Sequence, residues 1–228
     1  MKLSVIILAL NERHNLPLAI ESVRASGPVH EIIVCDGGSS DGMTEWAQGQ
    51  QDVTLVSSVR GRGHQLRAGA SAATGDVLWF VHADCRVHPN SVKAIRCAMR
   101  CPSCVAGAFP IRFTQQGRHN LELVASFHNL RSVTLQSFTG SQGIFMRRVT
   151  YEVIGGFPAW PLFEDVDIVR KLQRLGHIAL MPVPISTSGR RYLACGTFKT
   201  AIKAASLTML YNAGTPPARL KSSYPDIR

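Results

Sequence analysis

Strand-like and helix-like segments alternate through the first 81 residues of the chain. They follow one another as strand 3–10, helix 15–25, strand 31–35, helix 43–50, strand 53–57, helix 63–73 and strand 77–81. Strands that alternate with helices at this spacing form βαβ units, and such units build a parallel sheet. The sequence therefore predicts an α/β fold with an open, mostly parallel sheet that is flanked by helices.

Beyond residue 105 the alternation becomes less regular. The patterns there predict strand 108–113, helix 121–135, strand 143–147, helix 165–175 and further helices after Gly196. The 228 residues, 45% of them hydrophobic and 18% charged, suit one large domain with a substantial core. We therefore expect the second half of the chain to build a further site on the sheet of the first half.

The N-terminal apolar run resembles a signal peptide only superficially, because it meets Asn11-Glu12-Arg13 without a small-residue cleavage site. No apolar run approaches the roughly 20 residues that cross a bilayer. Six cysteines in a chain of this length do not form the pattern of a disulfide framework, which favours a reducing compartment. The sequence thus predicts a cytoplasmic location.

The formal net charge of +10 favours an anionic partner: a nucleotide, a nucleic acid or an acidic membrane surface. The basic residues are scattered, so a solvated surface explains the charge equally well. Aromatic residues make up 7% of the chain and no nucleic-acid-binding motif is present, so no nucleic-acid partner is expected.

The segment FKTAIKAASLTMLYNAG places Lys199 and Lys203 beside an apolar stripe, as membrane-surface helices do. Packing onto the domain or a dimer contact explains that stripe more simply.

Three of the cysteines, Cys97, Cys101 and Cys104, form a C-x3-C-x2-C run whose spacing can hold an iron–sulfur cluster. The run closes a predicted helix, however, in which Cys97 and Cys101 share one face and which Pro102 ends. Cluster-binding runs usually lie in open loops. Small buried thiols are therefore expected, and a metal site at these cysteines is the alternative.

Polar residues follow three of the predicted strands at the point where each strand ends. They are Asn11-Glu12 after the first strand, Asp36-Gly37-Gly38 after the second and His82-Ala83-Asp84 after the fourth. Ligands of open parallel sheets bind in the crevice outside the carboxyl ends of the strands. Asp84 should be partly exposed there and offers a hard oxygen ligand for Mg2+ or Mn2+. His82 would be a second ligand or a phosphate contact, and the alternative for Asp36 is a turn-forming role in DGGSSDG.

Four segments resemble, in this order, the motifs of family 2 glycosyltransferases: SVIILALNER, IIVCDGGSSDGM, GRGHQLRAGASAATGDVLWFVHAD and FEDVDIVRKLQRLG. The resemblance covers roughly residues 3–190. It implies the GT-A fold, with a Rossmann-like sheet and a C-terminal helical extension, and transfer of a sugar from a nucleotide sugar that is expected to contain UDP. Finer features, among them HAD, GSQGIFMRR and LYNAGTPPARLKSSY, resemble a subgroup of short transferases associated with arsenosugar biosynthesis and with radical-enzyme and selenium-linked genes.

The resemblance also implies a division of the chain and roles for individual residues. One domain, 1–228, would consist of a nucleotide-binding half, 1–104, an acceptor half, 105–190, and the helical extension, 191–228. The implied nucleotide-binding residues are Ala9, Leu10, Asn11, Glu12, Asp36, Arg62, Arg67, His82, Ala83 and Asp84. Asp165 would be the general base, with Glu164 beside it, and the acceptor residues would be Gln142, Arg190 and Arg191.

The family motif usually has a further acid where this chain has His82. A divalent metal, Mn2+ or Mg2+, would then rely on Asp84, with His82 as the other protein ligand, together with the diphosphate and water. Such a cation offsets the negative charge that grows on the departing diphosphate, and arginines add charge-assisted hydrogen bonds. A carboxylate on the opposite face removes the acceptor's proton, which gives inversion at the anomeric carbon. Helix capping is the alternative role of Glu164 and Asp165, which open a predicted helix.

Two other classes of function fit parts of the sequence. Gly61-Arg62-Gly63 lies between a strand and a helix, as in dinucleotide-dependent oxidoreductases, but Leu66 stands at the third glycine position. A non-catalytic nucleotide-binding or membrane-associated protein of the same fold is the other alternative. The expected partners are the nucleotide sugar and an acceptor, and a homodimer and a peripheral membrane contact are left open.

Overall fold

The structure of the protein is a computed structural model that describes residues 1–115 and 117–224. Its strands are β1 (Leu3–Ala9), β2 (Glu31–Asp36), β3 (Val53–Ser57), β4 (Val77–His82), β5 (Cys104–Ala108), β6 (Ile111–Phe113), β7 (Phe145–Arg147), β8 (His177–Leu180) and β9 (Ile185–Thr187). Its helices are α1 (Leu16–Ala25), α2 (Met43–Gln48), α3 (Arg62–Ala72), α4 (Ser91–Ala98), α5 (His119–Leu135), α6 (Arg148–Val153), α7 (Glu164–Leu175), α8 (Arg190–Cys195), α9 (Thr197–Asn212) and α10 (Pro217–Lys221), and a 3-10 turn covers Gly140–Gln142. No helix within the two described ranges is both long and apolar enough to cross a membrane.

Seven strands form one sheet in the order β3-β2-β1-β4-β7-β5-β8. The first four of these are parallel, and Ile7 of β1 lies opposite both Val34 of β2 and Val81 of β4. β7 runs antiparallel to β4 and β5, whereas β8 is parallel to β5. β6 and β9 form a separate parallel pair. The predicted α/β fold with an open, mostly parallel sheet is thus confirmed.

Burial on both faces of the sheet explains why its strands are continuously apolar. All seven residues of β1 are buried. Side chains alternate between the two faces of a strand, and accordingly Val5 and Ile7 belong to one hydrophobic cluster while Ile6 and Leu8 belong to another. A strand that is covered on both faces has no polar side. Apolar runs, rather than alternating patterns, therefore marked these strands in the sequence.

The elements predicted for the first half are confirmed to within two residues at each end. The single strand predicted at 108–113 is wrong, because the chain turns at Phe109 and Pro110 and separates β5 from β6. Proline has no N–H for a strand ladder, and the N–H of Phe109 donates instead to the carbonyl oxygen of Gln142 at 2.8 Å. β8 and β9 were not predicted, since strands of four and three residues carry too little pattern.

The expectation of small buried thiols is wrong for two of the three clustered cysteines. α4 ends at Ala98, so Cys101 lies beyond the helix and does not share a helical face with Cys97. Cys97 and Cys101 are exposed, and Cys104 is buried. The hydroxyl of Ser103, 3.1 Å from Sγ of Cys101, lowers the pKa of that thiol. All three are free thiols.

Candidate functional site

The carboxyl ends of β1, β2 and β4 meet at one edge of the sheet. Leu8 of β1 lies opposite His82 of β4, and Ala9 lies opposite Asp36 of β2. Because the three strands are parallel neighbours, the loops that follow them open into the same crevice. The structure therefore brings together the polar strand ends that the sequence singled out.

Two adjoining cavities open at this edge. The smaller, of about 60 Å³, is lined by Gln65, Arg190 and several predicted nucleotide-binding residues, namely Ala9, Glu12, Arg62, His82, Ala83 and Asp84. The larger, of about 220 Å³, has three cationic side chains in its wall, Arg60, Arg62 and Lys221, and also includes Leu10. The side chains of Arg62 and Gln65 line both cavities. The two spaces are therefore neighbours, and acidic groups line only the smaller one.

Arg190, at the start of α8, forms ion pairs with Glu12 and Asp84 in the smaller cavity. Its Nη1 donates to Oε2 of Glu12 at 3.1 Å, its Nη2 contacts Oε1 of the same carboxylate, and Nη2 lies 3.4 Å from Oδ2 of Asp84. Glu12 is 3% exposed and Asp84 17%, which confirms the expected partial exposure of Asp84. Although burial opposes it, the hydrogen bond to Glu12 and the charge of Asp84 raise the pKa of Arg190. The arginine expected at the acceptor thus lies beside the expected metal ligand.

Asp36 holds the turn that follows β2. Its Oδ1 accepts hydrogen bonds from the backbone N–H and the hydroxyl of Ser39 at 2.9 and 2.6 Å. The same hydroxyl accepts from the N–H of Asn11 at 2.8 Å, and Asn11 has a positive φ of 53°, which asparagine tolerates better than most residues. Asp36 therefore links the loops after β1 and β2. It lines neither cavity, and its role as a nucleotide-binding residue stays a prediction.

Arg62, at the start of α3, is paired with Glu164 at the start of α7. Its Nε lies 2.8 Å from Oε1 of Glu164, and its Nη2 donates to Oε2 at 3.2 Å. Glu164 is fully buried, and burial raises its pKa to about 7 while the charge of Arg62 opposes that rise. The carboxyl group of Glu164 therefore orients Arg62. Arg67, the other predicted arginine of α3, is exposed and lies outside both cavities.

Gly63 allows α3 to pack against the segment 158–160. Its N–H donates to the carbonyl oxygen of Trp160 at 3.3 Å. A Cβ atom at this position would clash with the carbonyl oxygen of Pro158 and would lie 2.8 Å from the nitrogen of Trp160. Glycine is therefore required for this close approach, which holds the segment before α7 against the helix that carries Arg62.

Asp165, the second residue of α7, is 9% exposed. Its Oδ2 accepts from the N–H of Gly140 at 2.8 Å, and its Oδ1 accepts from the N–H of Val166 at 2.9 Å. A Cβ atom on Gly140 would lie 2.8 Å from Nε2 of His82 and 3.7 Å from Oδ2 of Asp165. The residue predicted as the base and the histidine of the predicted metal motif therefore flank the same glycine.

Gln142 supports the 3-10 turn that carries Gly140. Its side chain is fully buried. Its Oε1 accepts from the N–H of Thr139 at 2.9 Å, and its Nε2 donates to the carbonyl oxygen of Phe109 and to Oγ of Ser132 at 3.1 and 2.9 Å. Both ends of the amide are thus engaged within the fold. The acceptor role of Gln142 stays a prediction.

Gln65 lines both cavities and was not predicted from the sequence. Its Nε2 donates to the carbonyl oxygens of Ala9 at 2.6 Å and Cys35 at 2.8 Å, so it joins the ends of β1 and β2. The side chain is buried, which is unusual for glutamine unless its polar atoms have partners. In the sequence, Gln65 only precedes Leu66 on a helix that was expected to pack on the sheet. That position alone does not indicate a residue of the site.

Arg131 on α5 is a second residue that sequence reasoning missed. Its Nε and Nη2 are buried and have no hydrogen-bond partner within the described part of the chain. Burial lowers the pKa of Arg131, and the charges of Asp165 and Tyr192 oppose that effect. Nε and Nη2 form one edge of a guanidinium, which can bind a carboxylate or phosphate through two parallel bonds. Arg191, by contrast, lies over the ring of Tyr224 at 4.1 Å from its centroid.

The acidic and imidazole groups of the smaller cavity offer a partial metal site. Asp84 and His82 line it, and Glu12 lines it too but is paired with Arg190. Among the residues that the structure describes, no three or more His, Cys, Asp or Glu side chains are grouped to hold a metal. The carboxylate of Asp84 is the type of ligand that Mg2+ and Mn2+ prefer. These residues therefore fit a metal that takes its remaining ligands from a bound diphosphate and water.

A family model described as glycosyl transferase family 2 matches residues 4–153. An uncharacterized glycosyltransferase of Nostoc sp. is 33% identical over 102 residues, which are 42% of this chain and 32% of the relative. An uncharacterized glycosyltransferase of Mycobacterium tuberculosis is 31% identical over 97 residues, which are 40% of this chain and 37% of the relative. The matched region thus spans about a third of the length of these curated relatives.

Crystal structures of glucosyl-3-phosphoglycerate synthase from Mycobacterium tuberculosis have a similar fold. The complex with Mn2+, UDP-glucose and phosphoglyceric acid has a TM-score of 0.65 and 22% identity, covering 94% of this chain and 80% of that chain. The complex with Mg2+ and UDP has the same TM-score and identity. This likeness extends the shared GT-A fold to almost the whole chain. Since the family model also covers more than half of its residues, the chain belongs to glycosyl transferase family 2.

Proposed function

We propose that the chain transfers a sugar from a nucleotide sugar, with UDP as the nucleotide, to a nucleophile of an acceptor. The observation that carries the proposal is the pair of adjoining cavities at the strand ends, with the Asp84 carboxylate in one and cationic side chains in both. Membership in glycosyl transferase family 2 supports it. The similarity to an enzyme crystallised with UDP-glucose supports the choice of UDP.

The larger cavity suits the nucleotide part of the donor. Arg60, Arg62 and Lys221 line it without any acidic side chain, so it favours a ligand that carries negative charge. Arg62 faces both cavities and can therefore reach a diphosphate that joins them. Glu164 fixes the Nε side of that guanidinium, so the orientation of Arg62 is set before the donor binds.

The smaller cavity suits the diphosphate and a divalent metal. Asp84 and His82 would hold Mn2+ or Mg2+, and the metal, when bound, neutralises negative charge on the leaving diphosphate. Arg190 shares the carboxylate of Asp84 and adds a second positive charge in the same space. Its charge-assisted hydrogen bonds would stabilise the same phosphate oxygens.

We assign the general base to Asp165 rather than to Glu164. Glu164 is fully buried and paired with Arg62, whereas Asp165 retains some exposure and lies next to Gly140 and His82. The N–H groups of Gly140 and Val166 hold the Asp165 carboxylate in one orientation. An acceptor hydroxyl that gives its proton to Asp165 as it attacks the sugar, from the side opposite the diphosphate, would yield an inverted product.

The acceptor side is assigned to residues around Asp165. Arg131, Arg191 and Tyr192 belong to α5 and α8, and the charge of Asp165 acts on Arg131. Gln142 would act indirectly, by holding the turn of Gly140. The division of the chain at residues 104 and 190 stays a prediction that this arrangement does not follow strictly, because Arg190 and Lys221 line the two donor cavities and Arg191 belongs to the helical extension. A role in arsenosugar or related small-molecule biosynthesis is the finer prediction for the same site.

Ligand-dependent melting tests this function. UDP, GDP and TDP sugars are added with and without Mn2+, and a ligand that binds the folded state raises the melting temperature. We expect the largest rise for a UDP sugar with Mn2+, and its loss in Asp84→Asn. The control, Asp52→Asn, changes an acid that pairs with Arg24 at the opposite edge of the sheet, and it should behave as wild type. No response to any nucleotide sugar would contradict the proposal, and binding without release of UDP would favour a non-catalytic protein.

A further inference from the structure

Large apolar side chains protrude from α5 and α9 into solvent. Three of them are on α5 and three on α9, each 61 to 72% exposed: Leu123, Phe127, Leu130, Phe198, Ile202 and Met209. We call these six residues the apolar surface. Single exposed apolar side chains are common in proteins, but a group of this size usually marks an interaction site.

The spacing of these residues makes one outward stripe on each helix. Leu123, Phe127 and Leu130 are separated by four and three positions, which places them on one side of α5. On α9, Phe198 and Ile202 are four positions apart, and Met209 follows after seven more. The inner sides of the same helices are buried through other residues, such as Leu121 and Leu207. The core therefore does not need the outward stripes.

The two stripes belong to neighbouring helices. Nδ2 of Asn120 at the start of α5 donates to Oγ1 of Thr197 at the start of α9, with a distance of 2.8 Å. Helices of 17 and 16 residues are each about 25 Å long. The apolar surface is therefore spread over two joined helices rather than gathered in a groove that a single peptide segment would fill.

Basic side chains lie beside the α9 stripe, while one exposed acid, Glu122, precedes Leu123 on α5 and contacts His119. Lys199 and Lys203 are exposed and each follows an apolar surface residue directly in sequence. The segment 189–224 contains no Asp or Glu, while its basic residues are Arg190, Arg191, Lys199, Lys203, Arg219 and Lys221. Basic side chains beside an outward apolar stripe are typical of helices that lie on anionic membranes.

We propose that the apolar surface docks onto an anionic lipid bilayer, with Lys199 and Lys203 contacting the headgroups. A second copy of the chain is a poorer occupant, because a symmetric contact would bring two positive surfaces together. Arg190, in the helix just before α9, lines the smaller cavity, so docking would keep that cavity close to the lipid surface. The inference does not depend on the proposed transferase activity.

Vesicle flotation tests the docking surface directly. The protein is mixed with vesicles of phosphatidylcholine alone or of equal parts phosphatidylcholine and phosphatidylglycerol. We expect wild type to float with the anionic vesicles, and less so with the neutral ones or at high salt. Lys199→Gln with Lys203→Gln should weaken this binding by at least about tenfold, since each basic side chain near the surface contributes. The control Lys93→Gln changes an exposed lysine of α4 and should have little effect.

The apolar contribution needs its own pair of variants. Phe127→Ser with Ile202→Ser should abolish flotation, whereas Val149→Ser with Val153→Ser, which changes equally exposed residues of α6, should not. Equal melting temperatures for the two double variants would exclude a folding defect. The proposal is overturned if wild type does not float with anionic vesicles, or if both double variants lose flotation equally. A dimer in light scattering that only Phe127→Ser with Ile202→Ser dissociates, without vesicle binding, would assign the surface to a second copy instead.

Discussion

Arg62 and Glu164 form an ion pair between residues 102 positions apart, with Nε of the arginine 2.8 Å from Oε1 of the carboxyl group. The pair ties the start of α3 to the start of α7. Arg62 lines both cavities and Asp165 belongs to α7, so the ion pair connects the cavity wall to the helix that carries Asp165. Because Glu164 is fully buried, the ionisation of its carboxyl group should affect the free energy of unfolding.

Glu164→Gln should make the free energy of unfolding less dependent on pH. Burial raises the pKa of Glu164 from 4.5 to about 7 in the folded protein. A raised folded pKa contributes stability that is fully present below pH 4.5 and is lost as the pH rises to about 7. Wild type should therefore lose up to about 3 kcal/mol relative to the variant across this interval. Urea unfolding at both ends of the interval measures the difference.

The control for this experiment is Glu152→Gln, which removes an exposed carboxyl group from α6. Its unfolding free energy should follow the pH profile of wild type. If the profiles of wild type and Glu164→Gln run parallel instead, the charge of Arg62 outweighs burial and Glu164 is ionised throughout.

Asp165→Asn and Asp84→Asn should have different effects although the chemical change is the same. In Asp165→Asn the amide oxygen can still accept from the N–H of Gly140, but the side chain cannot take up a proton, so turnover should fall by roughly 10²–10⁴ while donor affinity stays within about a few-fold. Asp84→Asn removes a charged oxygen from the smaller cavity, so donor binding in Mn2+ should fall together with the rate. Calorimetry with UDP and an assay of UDP release measure the two quantities. Equal losses of donor affinity would place Asp165 in the donor site.

Gly63→Ala should reduce the free energy of unfolding by about 1–3 kcal/mol, because the new methyl group must displace the backbone of Pro158 and Trp160. Gly49→Ala is the matched control. Its φ is −74°, and its Cβ would meet the carbonyl oxygen of Trp46 at 3.4 Å, an ordinary contact. Denaturant unfolding of both variants provides the comparison, and equal stabilities would mean that the 158–160 segment yields without cost.

Arg190→Gln should bind Mn2+ more tightly than wild type when no nucleotide is present. Arg190 places a positive charge against Asp84 and Glu12, and that charge repels a metal ion at the same carboxylates. Removing it should raise Mn2+ affinity by at least about fivefold, because even two unit charges about 4 Å apart in water repel each other by about 1 kcal/mol and Mn2+ carries two charges. Electron paramagnetic resonance of free Mn2+ measures the affinity. Arg100→Gln, which changes an exposed arginine beyond α4, should leave the affinity unchanged, and unchanged or weaker binding in Arg190→Gln would contradict the expected repulsion.

The helices and strands of the first half of the chain could be predicted from the sequence, because their apolar patterns follow directly from which residues are buried. β1 and β4 are covered on both faces, so their apolar runs marked both the strands and the polar residues at their ends. The contacts that complete the site are long-range. Arg190 reaches Glu12 across 178 positions, and that pairing depends on how α8 returns to the sheet. No periodic sequence pattern reveals this long-range contact, so Arg190 was predicted to contact the acceptor rather than Glu12 and Asp84.

The reversed direction of β7 determines which loops can change in length without disturbing the two cavities. The parallel strands present the residue after their last position to the edge of the sheet that carries the two cavities. β7 presents the residue before its first, because Arg147 lies opposite Val77 at the amino end of β4 while Phe145 lies opposite Trp79, nearer the carboxyl end. The stretch from α5 to Gly140 is therefore under geometric constraint, and the stretch just after Arg147 lies at the far edge. Insertions and deletions accumulated over evolution should be rare in the loop before β7 and tolerated in the loop after it. For the parallel strands we expect the reverse, with the loops after the strands constrained.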